Sequence, residues 1–277
     1  MLPWAEARRT ITVTDGARTW RPPRSIASLS ARRAVWLLAA FYGVVAAWTV
    51  DVDGARIAEG AARAADFFGG WLRPDFMTRW ADIREGLVES VAMTVVATAA
   101  GFLLSVPFGL GASKNLAPGP IYAACRGALA VFRAFHEILV AILFVAMFGF
   151  GGFAGVMTLG VATVGFLGKL LAEAVEEIDP GPLDALTAAG ATWACRIMYG
   201  VLPQVMPRIL GLTLYRLDIN FRESAIIGLV GAGGIGATLI TAFARYEFES
   251  VSAILILIIS MLFGAELLSS RLRRRLL

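Results

Sequence analysis

Hydrophobic and polar positions alternate in long blocks along this chain. Apolar runs cover Ala34–Val50, Leu87–Gly111, Ile121–Phe148, Phe153–Leu171, Ile209–Val230 and Val251–Leu268. Each is about long enough to cross a hydrocarbon layer roughly 30 Å thick as a helix. The pattern predicts an all-α integral membrane protein with six transmembrane helices. Pro107, near the end of the second run, is expected to kink or end that helix. Arg56–Leu72 places Ile57, Ala61, Ala65, Phe68 and Trp71 at helical spacing. It reads either as a helix lying on the outer surface or as an ordinary loop helix. The longest polar break of the second half, residues 180–208, opens Pro180-Gly181-Pro182 and contains Leu202-Pro203 and Pro207.

Composition agrees with the pattern. Hydrophobic residues make up 58% and charged residues 17%, against about 45–50% and about 25% in soluble domains. Global disorder is excluded, because it requires low hydrophobicity. Two cysteines and one histidine leave no disulfide scaffold and no four-ligand zinc site. The placement of charge sets orientation. Arginines 8, 9, 18, 21, 24, 32 and 33 precede the first run, and 271, 273, 274 and 275 follow the last. Residues 51–86 balance five arginines against seven acids. The positive-inside rule therefore puts both termini in the cytoplasm. The expected organisation is a basic cytoplasmic segment 1–33, a first span 34–50, an extracytoplasmic segment 51–86, a core 87–268 with a cytoplasmic loop 180–203, and a basic tail 269–277. Residues 1–33 hold no early apolar stretch, so no cleavable signal peptide is expected there.

Two features carry candidate chemistry. Gly231, Gly233, Gly234 and Gly236 match G-x-G-x-x-G, but the fingerprint works only in a soluble βαβ unit. Between two apolar runs, small residues instead let helices approach closely or break at membrane depth. The segment is a candidate wall or hinge of a substrate path. The second feature is charge within the runs: Arg133, His136 and Glu137 in the third, and Arg216, Asp218, Arg222 and Glu223 in the fifth. Arg133 with Glu137, and Asp218 with Arg222, are four apart and are expected to pair on one helix face. Such groups either neutralise one another or line a hydrophilic path. His136 and Glu137 could also serve a proton relay, which keeps an ion-coupled secondary transporter open. The chain lacks G-x-x-x-x-G-K-[ST], so no ATP hydrolysis of its own is expected. Nothing in it suggests a nucleic-acid partner.

The break at 180–203 resembles the signature of ABC-importer permeases, Glu-Ala-Ala, three residues, Gly, nine residues, Ile-x-Leu-Pro. Here it reads Asp184-Ala185-Leu186, then Gly190, then Gly200-Val201-Leu202-Pro203. The spacing matches, and Asp184, Leu186 and Gly200 depart in identity. Lys114-Asn115-Leu116, Phe221-Arg222-Glu223-Ser224-Ala225-Ile226 and the glycine cluster are similar to the phosphonate-importer branch, over roughly residues 74–268. That resemblance implies the ABC type I importer permease fold in a bacterial inner membrane. It implies a homodimer, two cytoplasmic ABC ATPase subunits that bind ATP and magnesium, an extracytoplasmic substrate-binding protein, and no cofactor in this chain. Transport would proceed by alternating access. Leu183, Asp184, Ala185, Leu186, Thr187, Gly190 and Ala191 would couple to the ATPase, in a helical stretch Leu183–Ala194. Arg133, His136, Glu137, Asp218, Arg222, Glu223, Ser224 and the four glycines would form the pathway or gate. The implied substrate is phosphonate or a related phosphorus oxyanion, with methionine or another small nutrient as the alternative. The family carries Pro where this chain has His136, so a less kinked third helix is expected.

Overall fold

In a computed structural model the described residues are 28–49 and 54–276, and all their regular structure is helical. Most of the basic segment 1–33 lies outside them. The chain divides into two units, Met1–Ala65 and Asp66–Leu277. The first unit holds α1 (Leu29–Thr49) and most of α2 (Gly54–Trp71), whose Glu59 and Arg63 pair across one turn at 3.1 Å. The predicted span 34–50 thus falls on α1, with Val50 outside the described residues, and α2 forms where helical spacing predicts a helix.

The second unit contains the rest. Its long helices are α3 (Trp80–Gly111), α6 (Gly152–Glu176), α9 (Leu202–Gly228) and α11 (Phe248–Leu276). Shorter ones are α4 (Gly119–Phe132), α5 (Glu137–Phe148), α7 (Pro180–Ala188), α8 (Trp193–Cys195) and α10 (Gly234–Ala244). A π-helical turn, Arg196–Val201, leads from α8 into α9. Among the described residues four segments are long and apolar enough to cross a membrane. A fifth forms if α4 and α5 count as one broken span. The expected count of six is not reached on this measure, because Arg32 and Arg33 dilute the apolar stretch of α1.

The centre of the unit is the crossing of α3 and α6, made of small residues. A Cβ on Gly101 would lie 2.5 Å from Thr163 Cβ, and one on Gly109 2.7 Å from a Leu171 methyl. Lipid gives apolar helices little reason to associate, so close backbone approach supplies the attraction. Several buried hydroxyls are satisfied within their own helices: Thr98 donates to the Thr94 carbonyl at 2.7 Å and Thr158 to Ala154 at 2.8 Å. Without water, an unpaired hydroxyl there would cost several kcal/mol.

Pro107 lies inside α3, which runs one further turn to Gly111. Three expectations are corrected. The third run is not one helix: α4 and α5 meet at 90° across residues 133–136. Arg133 caps the end of α4 while Glu137 opens α5, so the expected Arg133–Glu137 pair on one face does not form. The expectation of a less kinked helix, drawn from the missing proline, also fails. His136 takes an extended backbone (ψ 142°) and its Nδ1 accepts from the Ile138 N–H at 3.4 Å, capping α5 without a proline.

Candidate functional site

The segment carrying the signature folds as a helix held against the end of α9. Asp179 caps α7, its Oδ1 accepting from the Gly181 N–H at 2.9 Å. Gln204 brackets the same residue, accepting from the Asp179 N–H at 3.0 Å and donating to its carbonyl at 3.3 Å. Arg208 pairs with Glu177. Helix α7 ends at Ala188, short of the expected Ala194. Gly190 makes the end: at φ +76° its N–H donates to the Thr187 carbonyl and the Ala191 N–H to Leu186, each at 3.0 Å. This is a Schellman turn, which favours glycine. A Cβ on Gly190 would meet nothing within 4 Å, so its need for glycine within this chain is backbone conformation. Leu183 packs on the cluster of Val175, Val201 and Val205, while Asp184, Ala185 and Thr187 are exposed. Gly200 receives both leucines: its absent Cβ would lie 3.1 Å from a Leu186 methyl and 3.2 Å from Leu183. The two apolar departures from the signature therefore compensate. A large side chain at 186 fits because 200 has none.

The charges of the third and fifth runs partly converge. Glu137, freed from Arg133 by the break, reaches Arg216 of α9 at 3.2 Å. A buried guanidinium needs an opposite charge more than an exposed arginine such as Arg133 does. Arg216 Nε also donates to Thr163 at 3.3 Å. One helical turn on, Asn220 is fully buried and its amide donates to Thr98 at 2.8 Å and Thr163 at 2.9 Å, joining α3, α6 and α9. Asn220 Oδ1 and Glu223 Oε2 are buried without a partner among the described residues. Asp218 and Arg222 pair at 3.0 Å as expected, with Arg222 exposed. Ser224 is buried and donates to the Phe221 carbonyl at 2.7 Å. Reading charge alone missed Thr98, Thr163 and Asn220. The spacing 216, 220, 223, 227 along one face of α9 was the available signal.

The glycine cluster is a joint between α9 and α10. Gly231, Gly233 and Gly234 all adopt positive φ. Gly236 crosses against Gly228, where a Cβ would lie 2.0 Å from the Ala225 carbonyl oxygen. Glu89 of α3, also missed, accepts from the Gly234 N–H at 2.7 Å, and Ser90 from Ile235 at 2.9 Å. They cap α10 from a neighbouring helix, where the helix end favours a carboxylate. A second glycine turn joins here: the Gly151 N–H donates to the Gly231 carbonyl at 3.0 Å. A Cβ on Gly152 would meet Glu89 at 2.5 Å, and one on Gly231 the Phe150 ring at 2.3 Å. Beyond α10, Arg79 pairs with Glu247 and, at 3.2 Å, with Asp82. The Arg79 guanidinium holds the Glu247 carboxyl below the usual carboxylate range.

The fold therefore defines a polytopic helical membrane protein whose broken helices meet around buried polar groups. Such broken backbone is tolerated only where it is buried or lines a cavity. Residues 105–277 match the family model described as "Binding-protein-dependent transport system inner membrane component". The chain belongs to that family. It is 42% identical over 210 residues to the "Phosphate-import permease protein PhnE" of Mycolicibacterium smegmatis, covering 76% of this chain and 40% of that protein. The chain thus spans less than half the length of that relative. It is 36% identical over 241 residues to the "Phosphite transport system permease protein PtxC" of Stutzerimonas stutzeri, covering 86% and 87%. Among solved structures, the inward-facing MetNI methionine ABC transporter shares the fold at a TM-score of 0.63 and 23% identity, covering 73% of this chain and 99% of that one.

Proposed function

We propose that this chain is the membrane-spanning subunit of an ATP-driven importer for phosphonate or a related phosphorus oxyanion. The carrying observation is 36% identity to a phosphite permease across 87% of its length. The methionine alternative is supported by a structural likeness at 23% identity, which is a likeness of fold. The working unit is a homodimer with two cytoplasmic ATPase subunits and an extracytoplasmic binding protein, both termini lying in the cytoplasm. ATP and magnesium belong to the ATPase partners. ATP shifts the pair of permeases between inward-open and outward-open states only by favouring one of them. Helix α7 is the coupling element: leucines seat it on the bundle and Asp184, Ala185 and Thr187 face outward. That arrangement suits docking of a short helix into a partner's groove.

Purification from native membranes in mild detergent tests the coupling. The ATPase subunit is expected with the wild-type chain and absent with Ala185→Trp, which adds bulk on the exposed face without straining Gly190. An ATPase still bound to Ala185→Trp would overturn the role of α7. Uptake of radiolabelled phosphite, methylphosphonate, phosphate and methionine by cells expressing the whole transporter tests the substrate. Transport of methionine alone would overturn the phosphorus reading.

A further inference from the structure

A cavity of about 350 Å³ opens where α4 breaks into α5 against α9, lined by Arg133, His136, Glu137 and Arg216 with the rings of Phe132 and Phe166. Its polar lining pairs two arginines and a histidine with one carboxylate. Arg216 is the buried member, with a side chain only 5% exposed. A cation so placed inside a membrane bundle requires compensation. Its hydrogen bonds are few, although the Glu223 carboxylate also acts on it electrostatically. Nε donates to Thr163 at 3.3 Å and Nη2 to a single Glu137 oxygen at 3.2 Å. Strong charge-assisted bonds are about 2.7–2.9 Å, and arginine meets oxyanions best through two parallel bonds. Among the described residues Nη1 makes no hydrogen bond. The Phe166 ring lies 5.4 Å from Cζ, covering one face of the guanidinium. His136 Nδ1 accepts from the Ile138 N–H, which leaves Nε2 to carry the proton as a donor.

We propose that this cavity binds a phosphorus oxyanion, with Arg216 as its anchor and Glu137 as the internal carboxylate that the ligand displaces. The inference rests on the substrate reading above. Two ligand oxygens replace one carboxylate oxygen on the guanidinium, and Arg133 and His136 close on the others. Glu137, 23% exposed and in the first turn of α5, keeps its charge stabilised by water and the helix end after it lets go. The empty site then never holds a bare cation. The competition also keeps binding weak enough for release, which a transport site requires.

Equilibrium dialysis of radiolabelled phosphite and methylphosphonate against the full chain in lipid nanodiscs tests the site. Saturable binding is expected, weakened at least about tenfold in Arg216→Gln and strengthened severalfold in Glu137→Gln. A merely structural ion pair would lose binding in both variants, and that result would overturn the proposal, as would absence of wild-type binding. The two variants act in opposite directions, so a folding defect in one cannot imitate the expected result. Repetition in phospholipid-free detergent separates soluble ligand from lipid. Unchanged affinity supports the proposal, whereas binding seen only after lipid is stripped assigns the cavity to a headgroup phosphate and overturns it. Cellular uptake is read in parallel. Uptake without binding removes the site and leaves the substrate reading standing. Binding without uptake supports the site and removes the substrate reading.

Discussion

Single residues here act mainly through burial. Asn220 spends its amide on Thr98 and Thr163 from two other helices. Interhelical hydrogen bonds in membranes are worth about 0.6–2 kcal/mol each. Asn220→Ala is therefore expected to lower unfolding stability in detergent by about 1–2 kcal/mol. An Asn220→Ala variant as stable as wild type would show that the network is idle. Glu247 gives a prediction with a pH sign. Its pKa is depressed from 4.5 when folded by the Arg79 guanidinium. The unfolded chain then binds its proton first, and the contribution to stability is present above about pH 4.5 and lost as pH falls below it. Melting temperatures at pH 6 and pH 4 should differ less in Glu247→Gln than in wild type. Equal differences would remove the clasp from the account.

At the scale of elements, short helices take their places from what they lean on. Helix α7 has nine residues, too few for stability in isolation, and its two leucines seat it on the π-helical turn at Gly200. Gly200→Ile restores the signature residue and is expected to cost about 1–3 kcal/mol through overpacking. Adding Leu186→Ala, also the signature residue, should recover at least about 0.5 kcal/mol as a coupling energy. A double-mutant cycle in thermal unfolding measures it, and strictly additive effects would refute the size exchange. The α4–α5 break shows the same dependence. No proline forces it. Glu137 is drawn to a buried arginine 79 residues away in sequence, and the helix opens where His136 can cap the new start.

Across the whole molecule, two joints hold the bundle: the α3–α6 crossing and the glycine turns around Glu89. Gly101→Leu should abolish recovery of folded protein, because no flexible neighbour can yield at 2.5 Å from Thr163 Cβ. Glu89→Ala is milder. It leaves the α10 N-terminus without its carboxylate, a loss of about 0.5–2 kcal/mol. Uptake is expected to fall while the chain still reaches the membrane. Wild-type uptake by Glu89→Ala would separate the joint from transport.

Hydrophobic periodicity and charge placement are local properties, and they were readable without coordinates. Lipid demands that each crossing satisfy its own backbone, so a long apolar run becomes a helix almost independently of its neighbours. That is why α3, α6, α9 and α11 fall on predicted runs, and why the glycines of 231–236 announced a joint. The signature spacing at 184–203 also placed α7 before any contact was known. Partnership is different. Whether Glu137 serves Arg133 or Arg216, whether Glu89 caps its own helix or another, and what fills the space over Gly200 depend on distances between segments far apart in the chain. Those distances come from packing, which sequence spacing does not encode, and only the folded bundle decided them.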